Sequence, residues 1–117
     1  MGIPQQIRSN RAVALDTLHA YNPMKTLKFV LISESGYNKE HDKLLLNLLE
    51  QGYELFCVVG KDCEVWEEIM DELAVVDEFN PRYITTTSHP DESIEDVIEF
   101  AKRFSINQES DVDVVCI

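Results

Sequence analysis

No stretch of this sequence approaches the roughly 20 consecutive apolar residues that a membrane-spanning helix needs. The opening MGIPQQIRSN has no continuous apolar core of the kind a secretory leader carries. Basic residues are scarce: 10 Lys and Arg stand against 22 Asp and Glu, a formal net charge of −12. Nucleic acids and anionic membranes both attract proteins through cations that neutralise phosphates, so neither is an expected partner. The three cysteines, Cys57, Cys63 and Cys116, have no metal-ligand spacing, and an odd count without a leader fits a reducing, cytoplasmic setting. Neither GxGxxG nor GxxxxGK[ST] occurs, which removes the main support for dinucleotide or nucleoside triphosphate binding. No cofactor and no metal are expected. No internal repeat or low-complexity tract is present.

What is present is an alternation of two hydrophobic periods. TLKFVLIS (26–33) and YELFCVV (53–59) are continuous apolar runs of the kind found in strands buried on both faces. Between them, Leu45, Leu48 and Leu49 recur at helical spacing, and Gly52 stands where a helix C′ glycine belongs. In DCEVWEEIMDELAVV, Trp66, Ile69, Met70 and Leu73 form one helical stripe, with Asp62 as the expected N-cap. RYITTT (82–87) reads as a third strand, less apolar and so nearer an edge or a cleft. SIEDVIEFAKRF (93–104) reads as a third helix, with Ile94, Val97, Ile98 and Ala101 on one stripe and Ser93 and Asp96 at capping-box spacing. VDVVCI (112–117) is the fourth strand. The β-α-β-α-β-α-β order implies a small three-layer α/β domain over residues 25–117, doubly wound in the Rossmann-like or flavodoxin-like manner. Its four strands are expected to be mostly parallel, in the order 2-1-3-4.

Residues 1–24 fall outside this alternation. Val13, Leu15 and Leu18 give them the pattern of an amphipathic helix, which Pro23 ends. Such an extension suits self-association into a homo-oligomer, and its Arg8 and Arg11 suit contact with acidic helices.

Ligands of open parallel sheets bind beyond the C-terminal strand ends. With strands one and three adjacent, Ser33, Ser35, Gly36, Thr87, Ser88 and His89 would line a shared crevice. Ser33, Ser35 and Gly36 resemble the hydroxyl-rich phosphate loop of flavodoxins, which implies a flavin or nucleotide ligand, but Glu34 places a negative charge in that loop. The acidic pair and later Asp of phosphoacceptor receiver domains are replaced by Ser33-Glu34-Ser35 and Thr87-Ser88. Cys63, in the first turn of the second helix and beside Lys61, is the one cysteine placed for reactivity, although Glu64, Glu67 and Glu68 oppose a thiolate there. No histidine is tied to it by motif, and no loop is read after strand four to supply a further group, which weighs modestly against catalysis.

Charge is the remaining signal. Thirteen acids and one Arg lie between Asp62 and Glu99, and the remainder of the chain is balanced. Glu64, Glu67, Glu68, Asp71, Glu72, Glu95 and Glu99 are read as one acidic helical surface. The leading expectation is a non-catalytic binding or regulatory module that engages a basic protein partner, as immunity-type or inhibitor-type proteins mask a cationic surface. The alternative is a small-ligand (nucleotide or flavin) binding or weakly enzymatic domain that uses the crevice at the C-terminal ends of strands one and three.

Overall fold

The structure, a computed structural model, describes residues 26–77, 79–106 and 108–117. The expected N-terminal helix and its role in self-association lie outside the described residues. Strand β1 (Lys28–Ser33) leads through a single 3₁₀ turn (Lys39–His41) into helix α1 (Asp42–Glu50). Strand β2 (Leu55–Gly60), helix α2 (Cys63–Ala74), strand β3 (Thr85–His89), helix α3 (Ile94–Arg103) and strand β4 (Val112–Cys116) follow. The strands form one four-stranded sheet among the described residues, in the order β3-β2-β1-β4, and every pairing is parallel.

This order corrects the expected 2-1-3-4. β1 and β2 are buried along almost their whole length, whereas β3 and β4 are largely half-exposed. A strand apolar on both faces is stable only between two neighbours and beneath helices on both sides, so β2 belongs in the centre and the Thr-rich β3 at the edge. The reversal follows from the helices. α1 and α2 pack with Phe29, Leu31, Phe56 and Val58 on one face of the sheet. α3 packs through Val97 and Ala101 on Val30, Ile32, Leu55, Cys57 and Val59 of the other face. Crossovers of constant hand that change face also change direction, so α3 carries the chain back past β2 and β1 to lay β4 on β1's free side.

The helices form where the periodicity placed them. Leu45, Leu48 and Leu49 of α1 are buried. Tyr53 N–H donates to Leu48 O and Gly52 N–H to Leu49 O, and Gly52 has φ +84°, so α1 ends in a Schellman turn that needs a residue at ease in the left-handed region. Trp66 and Met70 of α2 are wholly buried and Ile69 and Leu73 partly so; each fully buried side chain contributes about 1.5–3 kcal/mol. On α3, Val97 and Ala101 are buried but Ile94 is exposed. Ser93 Oγ accepts from Asp96 N–H at 3.1 Å, as the capping pattern implied.

Candidate functional site

The six crevice residues are all at or near the C-terminal edge of the sheet, but they do not line one crevice. β2 lies between β1 and β3, and the alternation of side chains along β3 divides the remainder. Thr86 and Ser88 face α2, where their hydroxyls donate to Asp71 (2.7 Å) and Glu67 (2.5 Å). Thr87 and His89 face the α3 side. His89 Nε2 and Thr87 Oγ1 share a hydrogen bond of 2.8 Å, His89 Nδ1 lies 3.2 Å from Glu92 Oε1, and the imidazole meets the Phe100 ring edge-to-face at 4.9 Å. His89 is therefore a buried side chain with both ring nitrogens partnered.

Three backbone donors of the loop after β1 are engaged by the protein itself. Glu34 N–H and Ser35 N–H both donate to Ile117 O, at 2.7 and 3.2 Å, and Tyr37 N–H donates to Asp62 Oδ2 at 3.1 Å. Ser33 is buried, its hydroxyl accepting from Trp66 Nε1 at 3.0 Å. Gly36 is buried with φ +93°, and a Cβ there would lie 2.6 Å from Asp62 Oδ2. The Asp62 carboxylate thus sits against this loop, where the flavodoxin resemblance implied a bound phosphate. Asp62 occupies the N-cap position of α2 but makes no side-chain cap hydrogen bond. Its φ of 60° turns the carboxylate towards the β1 loop instead.

A concavity of about 360 Å³ opens beyond β2 and β3, lined by Gly60, Asp62, Cys63, Glu64, Val65, Pro90 and Asp91. It contains both non-glycine residues of left-handed backbone among the described residues, Asp62 and Asp91; Asp is one of the few residue types that tolerate it. The Cys63 thiol is buried here. Burial pushes its pKa up and a backbone hydrogen bond from His89 pulls the other way, so the helix end does not generate a thiolate. Cys57 and Cys116 are also free thiols raised by burial; Glu34 adds to the effect at Cys116. Among the described residues no three His, Cys, Asp or Glu side chains converge as metal ligands.

The acidic residues do not form one surface. α2 and α3 pack on opposite faces of the sheet, so Glu95 and Glu99 point away from the α2 acids. Glu99 is further occupied by Lys102 (3.8 Å) and Arg103 (3.7 Å). On α2, Glu67 and Asp71 bind the β3 hydroxyls. Four residues along a helix and two along a strand both advance about 6 Å, which lets the two pairs form in register. Glu64, Glu68 and Glu72 remain exposed, at i, i+4 and i+8.

Sequence reasoning missed two groups. Lys28 is buried, its Nζ donating to Ala101 O (2.9 Å) and Lys102 O (3.2 Å) at the C-terminus of α3; a lysine inside a buried strand was the available signal. The Trp66 indole is stacked by His41 at 4.8 Å and met edge-on by Tyr37 at 5.3 Å. No local pattern links those three residues.

The chain belongs to the family described as Domain of unknown function (DUF7684), whose model matches residues 6–117. No curated protein and no solved structure matches it. The family unit takes in residues 6–24 together with the α/β sheet.

Proposed function

We propose that this protein is a non-catalytic binding module that presents the outer face of α2 to a basic protein partner. One observation carries the reading: Glu64, Glu68 and Glu72 form an exposed stripe on a helix without a single Lys or Arg. Like charges at i, i+4 destabilise a helix by about 0.2–0.5 kcal/mol per pair. Only Glu64 lies in the first turn, where the helix dipole offsets that cost. The fold gains nothing from the stripe, whereas a cationic partner is steered by it. The residues counted as part of this surface narrow accordingly to these three: Glu67 and Asp71 hold β3, and Glu95 and Glu99 lie across the sheet.

The order β3-β2-β1-β4 with helices on both faces supports a doubly wound, Rossmann-like reading, since it matches the first four places of the order 3-2-1-4-5-6. In such a sheet the switch point lies between β1 and β4. There the Glu34 and Ser35 N–H groups are taken by Ile117 O, so the small-ligand reading has less support than the partner reading. Three free thiols fit a reducing, cytoplasmic setting for it, and no described helix is long and apolar enough to cross a membrane.

The test is a pull-down with the full chain from its native extract. The expected result is a basic protein recovered at low salt and released at high salt. It should be lost when Glu64→Lys, Glu68→Lys and Glu72→Lys are combined, and retained with Glu95→Lys plus Glu99→Lys. Recovery of no basic protein, or equal loss with both variants, refutes the reading.

A further inference from the structure

The opposite edge of the sheet, where the strands begin, carries an opening that the partner reading does not use. A groove of about 930 Å³ is lined by residues that include Tyr53, Glu54, Val75, Tyr83, Thr85 and Phe104. Beside it stands the most exposed apolar surface among the described residues. Val75 is 61% exposed, Val76 70%, Phe79 95% and Tyr83 86%, all in the connection from α2 to β3. Removing such side chains from water stabilises by about 25 cal/mol per Å², so a chain that leaves them bare forgoes several kcal/mol. An apolar patch rimmed by charge marks a surface that something covers.

We infer that residues 8–21 of this same chain cover it. The described chain begins at Thr26, and Leu27 O accepts from Glu54 N–H at 2.8 Å. Leu27 therefore lies one strand spacing, about 4.8 Å, from Glu54 of the groove. Residues 22–25 extended span at most about 14 Å, and residues 11–21 span about 16 Å even as a helix, the most compact regular form. The groove lies within that reach. The chemistry matches as well: Leu15 and Leu18 have the spacing of one helix face and Val13 adds a third apolar side chain, while Arg8 and Arg11 against Asp16 leave residues 8–21 net positive. The connection it would cross holds Asp77, and Glu54 and Asp71 line the groove together with Arg82, whose guanidinium is engaged by Leu49 O at 3.0 Å. The family match begins at residue 6, so this segment recurs with the sheet as one unit.

The experiment places a photo-crosslinking benzophenone side chain in the full-length protein in place of Tyr83, which is exposed enough to be replaced without disturbing the core. Irradiation followed by peptide mass spectrometry should give crosslinks to residues 8–21 within a product of monomer mass. Crosslinks in a product of dimer mass would assign the groove to a second copy and overturn the inference. Crosslinks only elsewhere in the chain, or none, overturn it as well. Amide exchange supplies a second measurement. Combining Val13→Glu, Leu15→Glu and Leu18→Glu should speed exchange at residues 75–84 and 104–106 by roughly tenfold or more, as expected when a cover worth about 1.4 kcal/mol is lost. Unchanged exchange there, with Trp66 fluorescence showing an intact core, counts equally against it.

Discussion

Trp66 Nε1 donates to Ser33 Oγ at 3.0 Å, and this bond joins α2 to the C-terminal end of β1 inside a core where neither side chain meets water. The first prediction rests on it. Ser33→Ala leaves the only indole N–H of the chain buried without a partner, which costs about 1–3 kcal/mol. Urea denaturation followed by Trp66 fluorescence should show the unfolding free energy lowered by that amount, through a lower midpoint with an unchanged slope. An unchanged midpoint would mean that the indole finds another acceptor.

The strands, helices and core of this fold were legible in the sequence, because each rests on a local period. β1 and β2 read as continuous apolar runs, the α2 stripe read as Trp66, Ile69, Met70 and Leu73, and Gly52 and Ser93 marked helix ends that the structure places there. The strand order was partly legible: LFCVVG is apolar on both faces and calls for a central place, which the expected 2-1-3-4 denied it. The crevice failed for two physical reasons. It needed β1 beside β3, and it read Ser88 and His89 as a loop. They close the strand instead, and a period of two then sends Ser88 to α2 and His89 to α3. The contacts of Asp62 with Tyr37 and of Lys28 with α3 were not legible, since each joins residues 25 or more apart with no shared motif.

The second prediction concerns Lys28. Its ammonium group caps the last carbonyls of α3 from the neighbouring strand, where the helix dipole favours a cation. Lys28→Met keeps the apolar stem and removes both charge-assisted bonds, at a cost of about 1–3 kcal/mol. The local signature is faster amide exchange at Lys102, Arg103 and Phe104, with α2 unaffected. Equal acceleration across the whole molecule would point to a general loss of packing rather than a lost cap.

The third prediction follows the Tyr37–Asp42 pair, whose phenol donates to the carboxylate. Desolvation first, and then the hydrogen bond and charge of Asp42, push the Tyr37 pKa up to about 12. The same hydrogen bond, with help from Lys39, holds the Asp42 carboxyl below its ordinary range. The raised phenol contributes stability that is present below the ordinary tyrosine range and lost as pH rises through about 12. The lowered carboxyl contributes stability that is present above the ordinary Asp range and lost as pH falls through its folded value. Tyr37→Phe should flatten both limbs of the stability profile. In an alkaline phenolate titration, the difference between the wild type and Tyr37→Phe should be a tyrosine that titrates above the ordinary tyrosine range, at about 12. A difference in the ordinary tyrosine range would show that the bond does not form in solution.

The last prediction separates the three thiols. All are pushed above the ordinary range chiefly by burial, so none is a ready thiolate at neutral pH, and the order of reaction with a disulfide reagent is set by access. Cys57 and Cys63 are buried in the core, whereas Cys116 is half-buried at the end of the edge strand β4. One equivalent should therefore react slowly in the folded protein, faster as pH rises, and two more only with denaturant. Cys116→Ser should remove the folded-state reaction and leave the denatured pair. Rapid labelling of Cys63 at neutral pH would instead reveal a thiolate at the start of α2, and with it a reactive centre in the concavity between Asp62 and Asp91.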